Sequence, residues 1–184
     1  YFSKNVKLKL FKNKDFVDIR KKRYVNSHNF SKIFEAYHFI NKDFNDVNFR
    51  KFLVKIVRKY DHVIVCDFGH GLINSKLADF ITKKAKFVSA NTQTNSGNRG
   101  YNLFTKYKKL DFLCIDEPEL RLGLSDKNTE LNDLINSLNQ KKYKNIMLTQ
   151  GNRGLSYKQR SKKILWLPPA TTNLKDTIGA GDAA

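Results

Sequence analysis

The chain has 184 residues, 35 Lys and Arg against 17 Asp and Glu for a formal net charge of +18, and 40% hydrophobic residues. That length and composition suit one α/β domain with a sizeable core and exclude a wholly disordered or fibrous chain. No run reaches the ~18 consecutive apolar residues needed to cross a bilayer, and Tyr1 to Lys9 lack the charged-then-apolar layout of a secretion signal, so a cytoplasmic location with no membrane partner is expected.

The basic residues are scattered along the whole chain, among abundant Asn, Phe, Ile and Tyr. Only Lys4 to Arg23 is dense enough to form a patch, and its aromatics Phe2, Phe11, Phe16 and the neighbouring Tyr24 could stack on bases. A nucleic-acid partner is therefore discounted, and kept as the alternative from a different functional class. Cys66 and Cys114 each sit in an apolar run without metal-knuckle or redox spacing, so both are expected as buried reduced thiols.

In chain order, Val6–Phe11 and Phe16–Arg20 read as strands of a small flap, followed by a helix from Asn29 to about Ile40. A second helix, from about Asn45 to Tyr60, gathers Phe49, Phe52, Leu53, Ile56 and Val57 on one face. The strand His62–Asp67 comes next, then a helix over Asn74–Lys84 with Asn74 as N-cap. Strands at Lys86–Ala90 and Phe112–Ile115 follow. Leu131, Leu134, Ile135 and Leu138 predict a helix over Asp126–Gln140 capped by Asp126. The strand Asn145–Thr149 leads to two extended pieces, Gly154–Gln159 and Lys162–Leu167, which form a hairpin-like edge closed by Pro168 and Pro169. Trp166 is read as packing on the last piece. Short apolar strands alternating with helices imply a mostly parallel sheet covered by helices, in one main domain.

The sharpest chemical signal is the ending Asp176-Thr177-Ile178-Gly179-Ala180-Gly181-Asp182. Small residues at Gly179, Ala180 and Gly181 let the backbone turn tightly against a ligand, and the amides of a helix starting there form an anion site. An Asp at the end of such a turn, Asp182, is placed to take a proton from an attacking hydroxyl while the amides hold charge on a phosphoryl group in flight. On its own, a Gly-x-Gly-Asp turn is as readily a simple helix N-cap. No Walker-type Gly-Lys-Ser/Thr loop is present.

The string Asp-Thr-Ile-Gly-Ala-Gly-Asp-Ala resembles the C-terminal signature of the ribokinase (PfkB) carbohydrate kinase family. Two further segments resemble that family in the same order: Thr149-Gln150-Gly151-Asn152-Arg153-Gly154, similar to its Thr-x-Gly-x-x-Gly turn, and Asp116-Glu117-Pro118-Glu119, at the place of its Asn-x-x-Glu motif. The resemblance implies a ribokinase-like three-layer α/β/α sandwich with part of a small β lid. It implies ATP and Mg2+ as cofactors, with Asp182 as catalytic base beside the Gly179, Ala180 and Gly181 amides. Thr149, Gly151 and Gly154 would line the nucleotide phosphates, and Glu119 would organise the metal. Asp116 replaces the more usual Asn, either adding metal attraction or capping the next helix. Asp176 and the backbone at Ile178 would belong to a monovalent-cation loop, for K+ or a similar ion, unless Asp176 only braces the turn.

Val63 to Leu72, with Asp67-Phe68-Gly69-His70-Gly71, is similar to a segment of the heptose-phosphate kinases, with His70 in place of Lys. The polar stretch Asn91–Ser96 also resembles a loop of that branch. Asp67, Asn91 and Asn95 are thereby candidate sugar or phosphate contacts, while Asn91 and Asn95 are equally candidate turn residues. The implied reaction is ATP-dependent phosphorylation of a sugar or sugar phosphate hydroxyl, with heptose 7-phosphate 1-kinase activity as the nearest case. A nucleoside, a ketohexose phosphate or another small alcohol is the alternative substrate. The resemblance spans about Phe16 to Ala184. Residues 1–40 would be the lid and its connection, with pairing into a homodimer through the lid, and 45–184 the core. The family's sugar-binding Gly-Gly region and the helices after the catalytic Asp are not within these residues, so a fragment of a kinase domain is expected.

Overall fold

A computed structural model of the chain describes residues 4–11, 19–28, 31–38, 47–95, 97–138 and 142–171. Among these, a two-stranded sheet is formed by β1 (Arg20–Val25) and β2 (Lys32–His38), and a six-stranded sheet by β3 (Val63–Asp67), β4 (Val88–Thr92), β5 (Phe112–Asp116), β6 (Asn145–Thr149), β7 (Leu155–Gln159) and β8 (Leu165–Leu167). The helices are α1 (Val47–Ile56), α2 (Ser75–Lys84), α3 (Glu117–Leu124) and α4 (Leu131–Ser137).

The helix expected from Asn29 to Ile40 is not formed: residues 32–38 are strand β2, and 29–30 and 39–40 lie outside the described residues. The apolar spacing there fits a period of two as well as a helix. Pairing with β1 decides between them, because it sets Glu35 opposite Arg23 and Phe34 opposite Tyr24. Glu35 then takes Lys21 at 3.4 Å and Arg23 at 3.2 Å, and the Tyr24 and Phe34 rings stack at 4.2 Å. Residues 6–11 form no strand; Phe11 instead packs on Phe49 and Phe52 of α1, each at 5.1 Å. Of the segment 16–20, only Ile19 and Arg20 are described.

In the large sheet, β3 to β6 run parallel in chain order, and β7 and β8 continue it antiparallel. The βαβ pattern read from the sequence is therefore present, and the last two strands are the expected hairpin edge, turning through Arg160 at φ 40°. The helix expected over 126–140 is shorter, and a separate helix that was not expected, α3, precedes it. Asp116 starts α3 ten residues earlier, Ser125 ends it in the left-handed conformation at φ 54°, and α4 begins only at Leu131. Asp126 is not an N-cap of α4; its carboxylate accepts from the Asn128 amide (3.0 Å) and from the Thr129 amide (2.9 Å) and hydroxyl (2.7 Å), bracing the turn between the helices. Asn74 caps α2 as expected, accepting from the Leu77 amide at 3.0 Å.

The helices cover one face of the large sheet. Leu77, Ala78 and Ile81 of α2, Leu120 of α3, and Leu134 and Ile135 of α4 bury themselves on Val65, Val88, Leu113, Ile115, Ile146 and Leu148, with Phe49 and Leu53 of α1 packed at the margin. Hydrophobic burial on that face supplies the main driving force for the fold. The opposite face presents Ile64, Cys66, Phe112 and Met147, and its strand positions carry no Lys or Arg in a chain otherwise rich in both. Cys66 lies exposed there, which corrects the expectation of two buried thiols; Cys114 is buried, and both are free. No helix among the described residues is long and apolar enough to cross a membrane.

Leu113 is fully buried at the centre of the sheet. Leu113→Ala should cost roughly 2–5 kcal/mol, read as a lower denaturant midpoint in urea unfolding.

Candidate active site

Parallel strands deliver their carboxyl ends to one rim of the sheet, where loops can meet a ligand. Asp67 stands opposite Thr92 on that rim, and Asp116 opposite Thr149. Three loops converge there: residues 67–74, residues 93–102, and the Asp116–Glu119 turn. The turn at Thr149–Gly154 adjoins them.

The Asp116–Glu119 turn is a complete capping box. The Asp116 Oδ1 accepts from the Glu119 amide at 2.7 Å, and Glu119 Oε2 accepts from the Asp116 amide at 2.9 Å. Glu119 Oε1 also accepts from the Thr94 amide at 2.7 Å, tying the loop after β4 to the start of α3. Of the two roles open for Asp116, helix capping is therefore filled. Burial pushes the Glu119 carboxyl up to about 7, against amide hydrogen bonds that lower it, and burial likewise raises Asp116 above its ordinary range. Glu117 behaves oppositely: burial would raise it, but the Arg121 and Arg153 guanidinia outweigh that and hold it low. The buried Glu119 and the half-buried Asp116 are hard oxygen donors of the kind Mg2+ takes, but both Glu119 oxygens already accept from amides, and among the described residues no group of three or more such side chains is gathered to hold a metal.

Glu117 also binds Arg153, which lies inside the Thr149–Gly154 segment. Two segments that the sequence shows only as separate motifs are thus joined by an ion pair. Gln150 closes the second turn, its amide donating to the Gly154 carbonyl at 2.9 Å and its side chain to Ser156 Oγ at 3.1 Å. Gly154 has φ 89°, and a Cβ there would stand 2.1 Å from the Leu167 carbonyl oxygen, so a side chain is excluded. Trp166, expected only to pack, donates its indole N–H to the Arg153 carbonyl at 3.0 Å and fixes the same turn from β8.

Asp67 turns inward. It is 4% exposed, and its carboxylate accepts from Tyr107 Oη at 2.7 Å and the Gly69 amide at 3.2 Å while pairing with Lys106 at 2.5 Å. The Tyr107 phenol is buried beside this carboxylate and is held far above its usual range. Lys106 also donates to Asn102 Oδ1 at 2.6 Å and the Ile73 carbonyl at 2.8 Å. The asparagines of the next loop stitch it to the Asp67 turn. Asn95 and Asn98 donate to the Phe68 carbonyl at 3.1 and 3.0 Å, and Asn102 to the Asp67 carbonyl at 3.0 Å. Asn95 Oδ1 accepts from the Gly97 and Asn98 amides at 2.9 and 3.1 Å, which is the turn role weighed for it. Asn91 lies on the open face and donates to the Cys114 carbonyl at 3.1 Å.

The structure therefore brings Asp67, Asn95, Asp116, Glu119, Thr149, Gly151 and Gly154 to one rim. Asp176, Ile178, Gly179, Ala180, Gly181 and Asp182 lie outside the described residues. β8 returns to the same rim, because Leu167 pairs with Leu155 beside Thr149. Sequence reasoning missed Thr94, Glu117, Arg153, Lys106 and Tyr107. The one legible hint was a lone Arg in a glycine turn of a chain with a three-carboxylate segment upstream.

A carboxyl raised in the fold favours the folded state while protonated, so the Glu119 contribution is full below its ordinary 4.5 and is lost as pH rises through about 7. Glu119→Gln should flatten this fall, of the order of 2 kcal/mol, in urea unfolding measured between pH 5 and 8. It should also lower stability throughout, because one amide loses its acceptor.

The family model for pfkB family carbohydrate kinases matches residues 81–184. None of the curated proteins matches the chain. Among solved structures, ribokinase from Thermotoga maritima is similar at 15% identity and a TM-score of 0.64, covering 91% of this chain and 53% of that one. A Burkholderia thailandensis nucleoside kinase in complex with inosine is similar at 14% identity and 0.58, covering 92% and 53%. Phosphofructokinase-2 from Escherichia coli is similar at 15% and 0.56, covering 81% and 50%. These likenesses speak to the fold, and the chain spans about half the length of the structures it resembles. The family match takes in the β5, β6 and β8 rim as well as the terminal Gly179–Asp182 segment, and by it the chain belongs to the pfkB family of carbohydrate kinases.

Proposed function

We propose that the protein transfers a phosphoryl group from ATP to a hydroxyl of a sugar or sugar phosphate. The observation that carries this reading is convergence: the Asp116–Glu119 turn, the Thr149–Gly154 turn and the exit of β8 share one rim, and Glu117 with Arg153 locks the first two together. From Thr171, the last described residue, eight residues of chain lead to Gly179, a span of at most ~26 Å at ~3.3 Å per residue.

In this reading the Gly179, Ala180 and Gly181 amides surround the phosphoryl group as it moves, and Asp182 accepts the proton of the attacking hydroxyl. The amides around Gly151 and Gly154, with the Thr149 hydroxyl, hold the nucleotide phosphates. Asp116 and Glu119 would hold Mg2+ directly or through its waters, and the bound metal supplies neutralisation of phosphate charge. Asp176 and the Ile178 carbonyl would hold K+ beside the anion turn. Asp67 and Asn95 act by shaping the loops, since their side chains are engaged within the protein, and Asn91 lines the open face. The two-stranded sheet serves as a lid over the acceptor, and its outward Tyr24–Phe34 stack offers a surface for pairing two subunits.

Within the family, the Asp67–Gly71 and Asn91–Asn95 segments favour a heptose phosphate as acceptor. The bound inosine of the Burkholderia enzyme and the fructose-6-phosphate complex of the Escherichia coli enzyme illustrate the alternatives, a nucleoside and a ketohexose phosphate. The basic N-terminal segment offers less to nucleic acid than its composition suggests, since Lys21 and Arg23 are paired with Glu35.

The test is ADP release from the protein in its full reading frame, with ATP, Mg2+ and heptose phosphates, hexoses, pentoses or nucleosides. Asp182→Asn should lower kcat by about 10²–10⁴-fold with KM for ATP little changed. Near wild-type turnover in that variant would remove the assignment.

A further inference from the structure

His70 lies before residues 81–184, which the family model matches, and the fold places it in an unusual setting. It stands between Gly69 and Gly71, both left-handed at φ 71° and 82°. A Cβ at Gly69 would meet Asn98 Nδ2 at 2.0 Å, so the loop below is packed hard against this turn and fixes how it presents the imidazole. The ring faces the two-stranded sheet. Its Nε2 is hydrogen-bonded to Tyr37 Oη of β2 at 2.8 Å, and the two rings lie nearly parallel, 5.7 Å apart at 21°. Tyr37 is in turn held from β1: Lys21, its cross-strand partner, places Nζ 5.2 Å from the Tyr37 ring centroid while pairing with Glu35.

We infer that His70 is a positioning residue that clasps the two-stranded sheet onto the strand-tip rim through Tyr37, setting how the lid sits over the acceptor. The lid function rests on the kinase reading above; the clasp itself does not. The bond spans 33 residues of sequence and joins elements of different sheets, so its loss releases the small sheet rather than a local turn. Among the described residues, β1 is exposed throughout and β2 nearly so.

Charge around the clasp favours a neutral imidazole. Lys21 of β1 and Asp67 of the core are the charges that act on it, Lys21 and Arg23 being paired with Glu35 on the small sheet and Asp67 with Lys106. Burial and the Lys21 ammonium lower the His70 pKa, and the Asp67 carboxylate opposes them without prevailing. A base whose pKa is depressed when the sheet is docked stabilises docking above its ordinary 6.5 and loses that contribution as pH falls through the docked value.

The measurement is amide hydrogen exchange over residues 20–38 between pH 5.5 and 8, corrected for intrinsic rates, on the protein without nucleotide or sugar. His70→Ala and Tyr37→Phe should each speed exchange in β1 and β2 by about tenfold, with β5 and β6 unchanged, and the double variant should be no faster than either single one. His70→Gln, which keeps a side chain able to meet the Tyr37 hydroxyl, should restore protection and abolish its loss at low pH. Additive effects, unchanged exchange in either single variant, or a wild-type small sheet that exchanges as freely as the variants would overturn the clasp. Absence of kinase activity with this exchange pattern intact would count against the proposed reaction and leave the clasp standing.

Discussion

A buried carboxylate in an α/β protein must be met by donors, and the rim of this sheet is organised by that requirement. Glu119 satisfies its two oxygens with the amides of Asp116 and Thr94, Asp67 with Tyr107, Lys106 and Gly69, and Glu117 with two guanidinia. Four of these bonds, Glu119 to Thr94, Asp67 to Tyr107 and Lys106, and Glu117 to Arg153, link parts of the chain 25 to 40 residues apart. The rim is therefore held by polar groups of fixed geometry, while the apolar core beneath holds the strands that carry them.

This division suits phosphoryl transfer, in which the protein mainly positions and stabilises charge. Loops that carry amides toward a phosphate must not drift, and each loop here is anchored at its base by a side chain from another. The anchoring also explains why carboxylates and asparagines that look like ligand contacts in the sequence turn out to be partly internal fittings. Asp67 and Asn95 hold the loops in shape.

The strands β3 to β6 were legible because each is a short apolar run between turn residues, and the order of strands and helices was enough to imply a parallel sheet. The Asp116 and Thr149 segments were legible through their resemblance to family motifs that occur in the same order. What stayed hidden depends on contacts distant in sequence. Residues 32–38 carry a pattern compatible with either period, and only Arg23 and Tyr24 across the ladder select the strand. α3 was passed over because Glu117 to Leu124 is short, with its signal in the Asp116 cap rather than in hydrophobic spacing. The Glu117–Arg153 pair joins residues 36 apart, and beyond the lone Arg in its glycine turn no local pattern announces it.

The hairpin of β7 and β8 acts as a measured return. β6 reaches the rim at Thr149, β7 carries the chain away to Gln159, and β8 brings it back to Leu167. The two legs must stay matched, since a one-residue slip would turn Trp166 to the other side of the sheet and away from Arg153. The bend at Arg160 to Lys163 lies at the far edge and is under no such demand. Evolution could lengthen or recolour that distant bend freely, whereas insertions in either leg would carry the polypeptide's onward path out of step with the loops it has to rejoin.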